Sequence, residues 1–221
     1  MTSQSDEHLV PAETSRSLAF MADDEARAEM YAYIRSWLPR TGSFLDVGCG
    51  AGALVAEALG QGLRARGFDQ DPQNVETARS AGLDVVVGDV FAPPYDDAEL
   101  FDSITMVHFV EHFVPEDVAT MLGAYARRLR RGGRLLVMTP NFADWTVASH
   151  IFWLDRTHVR PYPGLLLRQM LEEQGLTVIH TSTERLVRFG LRRNLLRPLG
   201  RLRFGREFER LNLVVVAERP G

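Results

Sequence analysis

Lysine is absent from the chain: all 25 basic residues are arginine. No lysine amine is available to form a Schiff base, so pyridoxal-type and aldolase-type mechanisms are excluded. Cysteine occurs once, as Cys49. A single thiol forms no internal disulfide and supplies no multi-cysteine metal site. No apolar run reaches the length of a membrane span, and the opening stretch MTSQSDEHLVPAE lacks the basic-then-apolar order of a secretory signal. These absences lead to the expectation of a cytoplasmic protein without an integral membrane segment.

The 221 residues are 45% hydrophobic and 24% charged. That length and mixture suit one domain with its own core. A net charge of -4 weighs against a general nucleic-acid binder, so no nucleic-acid partner is expected. Charge is unevenly placed. Residues 183–210 hold nine arginines against three glutamates, interleaved with Leu191, Leu195, Leu196, Leu199, Leu202 and Phe204. The chain divides into a polar tail over 1–21 and a folded domain over 22–221, with the Arg-rich segment as an insertion. That insertion reads as a lid with its own small core, as a surface for an anionic acceptor, or as a dock on an anionic membrane.

Apolar spacing predicts an amphipathic helix over 22–38 and further helices over 53–60, 115–131 and 163–174. Asp71-Pro72 marks another helix start, because Asp caps and Pro suits the first turn; that helix ends before Gly82. Strands are expected at SFLDV, 64–69, 84–87, 101–107, RLLVM after Gly132-Gly133, 176–181 and 211–217. Strands alternating with helices imply an α/β fold, a mostly parallel sheet covered on both faces.

In such a sheet a ligand sits outside the carboxyl ends of the strands. The first strand runs there into Phe44-Leu45-Asp46-Val47-Gly48-Cys49-Gly50-Ala51-Gly52. Glycines allow a tight turn and close approach of a ligand to the backbone. Asp46 is placed to accept from a ligand ammonium and would repel a pyrophosphate. The Gly-x-Gly-x-Gly spacing also differs from the dinucleotide fingerprint, which disfavours an NAD-dependent oxidoreductase. Cys49 reads as a small residue packed in the loop rather than as a nucleophile.

Over about residues 43–182 the chain resembles the class I S-adenosylmethionine (SAM)-dependent methyltransferases. LDVGCGAG matches their first motif and assigns Asp46, Gly48, Cys49, Gly50 and Gly52 to the cofactor. GFDQDP puts Asp69 and Gln70 where the family holds the ribose hydroxyls. GDV puts Asp89 and Val90 where it meets the adenine. MVHFVEHF puts Val107 and His108 beside the methionine part, and LRRGGRLLVMTPN matches the turn into the fifth strand. The resemblance implies a Rossmann-like seven-stranded sheet with its last strand antiparallel. It implies SAM as cofactor and S-adenosylhomocysteine as product.

The stretch FWLDRTHVRPYPGLLLRQMLEEQG is similar to small bacterial methyltransferases with an Asp-x-Thr-His-x-Arg-Pro run, some of them associated with polysaccharide or natural-product assembly. A small-molecule or glycan acceptor follows, with an anionic one suited to the arginines. Methylation of a hydroxyl oxygen is favoured. N-methylation and a non-catalytic SAM-binding protein stay open, as do monomer and homodimer. A hydroxyl acceptor needs a base. His158 is the leading candidate, with Asp155 to orient it and His112 as its rival. Trp145 and Trp153, with Phe152, are expected to floor the acceptor pocket, and Arg160 to hold an anionic group. Glu111, His112, Asp155 and His158 have metal-ligand chemistry, but their spacing is no tight metal motif, so no metal is assigned.

Overall fold

The structure is a computed structural model and describes residues 24–96, 98–184 and 211–221. The polar tail at 1–21 and residues 185–210 of the Arg-rich segment lie outside the described residues. The strands are β1 (Ser43–Val47), β2 (Arg64–Asp69), β3 (Val85–Val87), β4 (Phe101–Val107), β5 (Leu129–Pro140), β6 (Thr177–Glu184) and β7 (Asn212–Glu218). They form a seven-stranded sheet in the order β3-β2-β1-β4-β5-β7-β6. Pairings from β3 through β5 are parallel, and β7 runs antiparallel to both β5 and β6. The order reverses between β1 and β4, which opens a crevice at their carboxyl ends.

The helices are α1 (Asp24–Trp37), α2 (Ala53–Gly60), α3 (Pro72–Ser80), α4 (Pro115–Arg127), α5 (Trp145–Ser149) and α6 (Gly164–Glu173). Alternate residues of the central strands face opposite sides of the sheet. Leu135, Val137, Val215 and Ala217 join Val118, Met121 and Leu122 of α4 and Leu167, Met170 and Leu171 of α6 in one core. Leu136, Met138, Val214 and Val216 join Ile34 of α1, Leu54, Val55 and Ala58 of α2 and Val75 and Ala78 of α3 in the other. Helices on both faces explain why β1 is buried along its whole length. No described helix is long and apolar enough to cross a membrane.

α3 begins as its sequence predicts: Asp71 accepts from the Gln73 N–H at 2.9 Å, and Pro72 takes the first position. α4 is a correction. It ends at Arg127 rather than 131, and Leu129 already pairs with Phe101 in β5. The stop is tertiary. Arg128 is buried, and its guanidinium donates to the carbonyl of Asp96 at 3.0 Å, while its own carbonyl accepts from Phe101 N–H at 2.8 Å. Arg130 and Arg131 therefore lie in β5, not at a helix end. Gly132-Gly133 sits within β5, beside a shift in its register with β4, and breaks no helix.

Candidate active site

The glycine loop after β1 is built on backbone conformations that side chains resist. Gly48, Gly50 and Gly52 have φ of 68°, 53° and 80°. A Cβ at Gly52 would strike Leu83 at 2.7 Å, so that glycine permits packing. A Cβ at Gly50 would meet nothing within 4 Å among the described residues, so this part of the loop faces open space there. Asp69, at the end of β2, ties the loop down. Its Oδ2 accepts from Gly50 N–H at 2.8 Å, and its Oδ1 accepts from Asp71 N–H at 2.9 Å and from the Asn74 amide at 3.3 Å. Asp69, which the sequence offers both as a ribose ligand and as a helix-capping carboxylate, thus bonds the start of α3, with Asn74 as an additional partner. Both roles are compatible, since each carboxylate oxygen accepts more than one bond.

Asp46 is buried on β1 and accepts from the Thr105 hydroxyl, its neighbour on β4, at 2.6 Å. Burial pushes its carboxyl up to about 7; the Thr105 bond opposes this, and the charge of Asp69 adds to it. Cys49 rests against Gly67, with Sγ 2.8 Å from where a Cβ of that residue would stand. Burial, with Asp46 and Asp69 nearby, pushes its thiol well up, so it is inert as a nucleophile. Gln70 and Asp89 are exposed, and Asp89 accepts from Phe91 N–H at 2.8 Å in its own turn. Val90 is buried, with its carbonyl accepting from the Tyr125 hydroxyl at 3.2 Å, and Val107 is half-buried. His108 has φ 51°, an unusual conformation for a non-glycine residue and one that turns the chain sharply at the end of β4.

A second group of side chains gathers beside His108. The N–H groups of Val159 and Arg160 both donate to the carbonyl of Glu111, at 2.8 and 3.3 Å. This stitches the loop after β5 onto the short 3-10 turn Val110–His112 and brings the His112 and His158 rings to 4.9 Å. His158 Nδ1 lies 2.7 Å from the Phe152 carbonyl, an acceptor only, so Nδ1 carries the proton and Nε2 the lone pair. The Thr157 hydroxyl donates to Asp155 Oδ1 at 2.6 Å, so its oxygen accepts from His112 Nδ1–H at 2.8 Å. Nε2 of His112 takes no part in that bond. Burial pulls the His158 pKa down, against the Phe152 carbonyl and Glu111, which keeps that ring neutral. Glu111 is fully buried. Burial opposes its ionisation, but His108 and His112 outweigh it and hold the carboxyl below its usual range. Its Oε2 accepts from the Thr139 hydroxyl at 3.0 Å, and its Oε1 lies 3.4 Å from His108 Nδ1.

Two expectations need correction. Asp155 does not hold His158: the nearest approach, Oδ2 to Nε2, is 3.9 Å, beyond hydrogen-bond reach. Its carboxylate acts on His112 through Thr157, a residue the sequence reading passed over although it stands in the Asp-x-Thr-His run. Among the described residues the tryptophans floor no enclosed pocket. Trp145 is 71% exposed and Trp153 60%, while Phe152 is buried. Trp153 donates its indole N–H to the Ala148 carbonyl at 2.8 Å and meets Phe142 and Phe152 edge-on. Arg160 lies over the Tyr162 ring at 5.3 Å. A surface depression lined by Arg35, Leu38, Arg40 and Gln61 belongs to the opposite, amino end of the strands.

The family model described as a methyltransferase domain matches residues 17–181. A ubiquinone biosynthesis O-methyltransferase from Xylella fastidiosa is 37% identical over 120 residues, which cover 49% of this chain and 46% of that protein. An uncharacterized 37.1 kDa protein in a transposon of Streptomyces fradiae is 28% identical over 171 residues, covering 73% of this chain and 49% of that protein. The chain spans about half the length of these curated relatives. The crystal structure of a SAM-dependent methyltransferase from Archaeoglobus fulgidus superposes with a TM-score of 0.74 at 18% identity, covering 95% of this chain and all of that one. The strand order and the reversed β7 agree with that fold. The chain belongs to the methyltransferase-domain family and has the class I, SAM-dependent fold.

Proposed function

We propose that the chain transfers the methyl group of SAM to a hydroxyl oxygen of a small molecule or glycan. The observation that carries this reading is the convergence of Glu111, His112 and His158 beside the glycine loop. The sulfonium is already a strong methyl donor, so the protein's work is to align acceptor, methyl and sulfur. A hydroxyl must also lose its proton, whereas a neutral amine needs less help. Two imidazoles, each held through Nδ1, beside a buried carboxylate suit the first task. The O-methyltransferase named among the relatives agrees with an oxygen acceptor. In this reading SAM lies along the carboxyl ends of β1, β2 and β3. Its ammonium faces Asp46, its ribose Asp69, and its adenine Asp89 and Val90. Arg160 stands at the rim for an anionic part of the acceptor.

The test is methyl transfer from SAM carrying a labelled methyl group to pooled phenols, sugars and amines. The expected product carries the label on oxygen. Label only on nitrogen would reject the O-methyltransferase reading, and no transfer to any pool would leave a binding protein. A pH dependence also follows from Asp46. Its carboxyl sits near 7 without a ligand, and a cationic cofactor favours the ionised form. SAM affinity should therefore rise from pH 6 to pH 8, by at most about tenfold per pH unit on the acid side. Calorimetric titration across that range should show the slope, and Asp46→Asn should flatten it. An equal slope in the variant would assign the effect to another group.

A further inference from the structure

We propose that Glu111, His112 and His158 form a binding site for one divalent transition-metal cation, and that the acceptor hydroxyl is activated by coordinating it. One ligand atom from each of the three residues lies within 4.8 Å of the other two. Each residue is also oriented from behind. His158 is held by the Phe152 carbonyl through Nδ1, His112 by Thr157 and Asp155 through Nδ1, and Glu111 by Thr139 through Oε2. Outer hydrogen bonds of this kind on the far nitrogen are what fix metal-binding imidazoles and set their tautomer. They leave both Nε2 atoms and Glu111 Oε1 for a shared centre. His158 Nε2 is buried without a hydrogen-bond partner among the described residues, and fully buried Glu111 Oε1 has only the 3.4 Å approach of His108 Nδ1, which lacks hydrogen-bond geometry. Unpaired buried lone pairs are costly, and a cation satisfies them together.

Two imidazoles and a carboxylate are donors for Zn²⁺, Mn²⁺ or Fe²⁺ more than for Mg²⁺, which prefers oxygen and keeps its water. Ligands of a tetrahedral zinc ion stand roughly 3–3.5 Å apart, so the three atoms close by up to about 1.3–1.8 Å on binding. Three protein ligands leave positions for the acceptor oxygen. The coordinated hydroxyl loses its proton to solvent. The oxygen's electron pair then forms the bond to the methyl carbon as the carbon–sulfur bond breaks, and the pair of the broken bond stays on sulfur to give the neutral thioether of S-adenosylhomocysteine. Ligation, rather than proton transfer to a ring nitrogen, is then the work of the imidazoles.

The chemistry of this proposal rests on the O-methylation reading, but its binding test does not. The full chain, without a histidine tag, is titrated with Zn²⁺ alone, then with Mn²⁺ and Mg²⁺, and separately with SAM. One equivalent of Zn²⁺ should bind, with Mg²⁺ much weaker. Glu111→Gln and His158→Asn should each weaken Zn²⁺ by more than about tenfold, and Thr157→Val by about 10–100-fold, the range seen when an outer partner is lost. SAM binding and thermal melting are followed in every variant, so that misfolding is separated from ligand loss. No Zn²⁺ binding by a wild-type chain that binds SAM would overturn the cation site and leave the methyltransferase reading intact. So would stoichiometric Zn²⁺ binding unchanged in folded Glu111→Gln and His158→Asn. Zn²⁺ binding at these residues without SAM binding would overturn the methyltransferase reading instead.

Discussion

His112→Ala should lower kcat by about 10²–10⁴-fold while leaving SAM affinity intact, the range expected when the group that activates an acceptor proton is removed. The reason lies in how the ring is held. Its Nδ1–H is spent on Thr157, which is held in turn by Asp155, so Nε2 is presented in one tautomer and one orientation. None of these three residues belongs to the glycine loop or to Asp69. His158→Ala should act through the same cluster and give a loss of the same order. Thr157→Val should give a smaller loss, restored by Thr157→Ser, because the hydroxyl positions the ring and takes no part in the bond changes. Single-turnover kinetics with saturating SAM separate chemistry from product release. A loss confined to the acceptor KM would reassign these residues to binding. Wild-type turnover in both histidine variants would remove the cluster from the mechanism.

Asp69→Ala should weaken SAM binding by roughly 10–150-fold. A charge-assisted hydrogen bond to a ribose hydroxyl is worth about 1.5–3 kcal/mol, and 1.4 kcal/mol is tenfold in affinity. The structure raises that expectation, because the same carboxylate also holds Gly50 N–H at 2.8 Å and Asp71 N–H at 2.9 Å. Its loss frees the loop as well as the ribose. Gly50→Val should be worse still. The added side chain enters the space before the loop, and a β-branched residue resists a φ of 53°. Because a Cβ there meets no atom of the described residues within 4 Å, the affinity loss should exceed the loss of stability. Gly52→Val should do the reverse, striking Leu83 and lowering the melting temperature most. Calorimetry and thermal melting on the three variants distinguish these patterns. SAM binding like wild type in both Asp69→Ala and Gly50→Val would place the cofactor elsewhere.

Local chemistry made much of this legible in the sequence. The Gly-x-Gly-x-Gly run, the Asp71-Pro72 start and the period of α4 and α6 each depend on residues a few positions apart. The features in which the structure differs from local expectation depend on distant partners. α4 stops at Arg127 because Arg128 reaches the carbonyls of Tyr95 and Asp96 some thirty residues earlier. Asp155 and His158 lie three apart and invite a local pairing. The real partner of Asp155 is Thr157, and through it His112, 45 residues from Thr157. The same two segments are joined where the Glu111 carbonyl accepts from the N–H groups of Val159 and Arg160. The tryptophans show a further limit: an aromatic residue in a loop does not declare whether it is covered, and here Phe152 is buried while Trp145 and Trp153 face out.

Hydrogen exchange with and without saturating SAM tests the account most directly, because it reads both binding and its place. Slowed exchange is expected in peptides covering 46–52, 69–74 and 88–92, with a further effect near 107–112. Peptides at the amino ends of the strands, around 38–42 and 61–63, should be unchanged. Protection confined to those amino-end peptides, or no protection at SAM concentrations that saturate known methyltransferases, would contradict a cofactor seated on the glycine loop and Asp69.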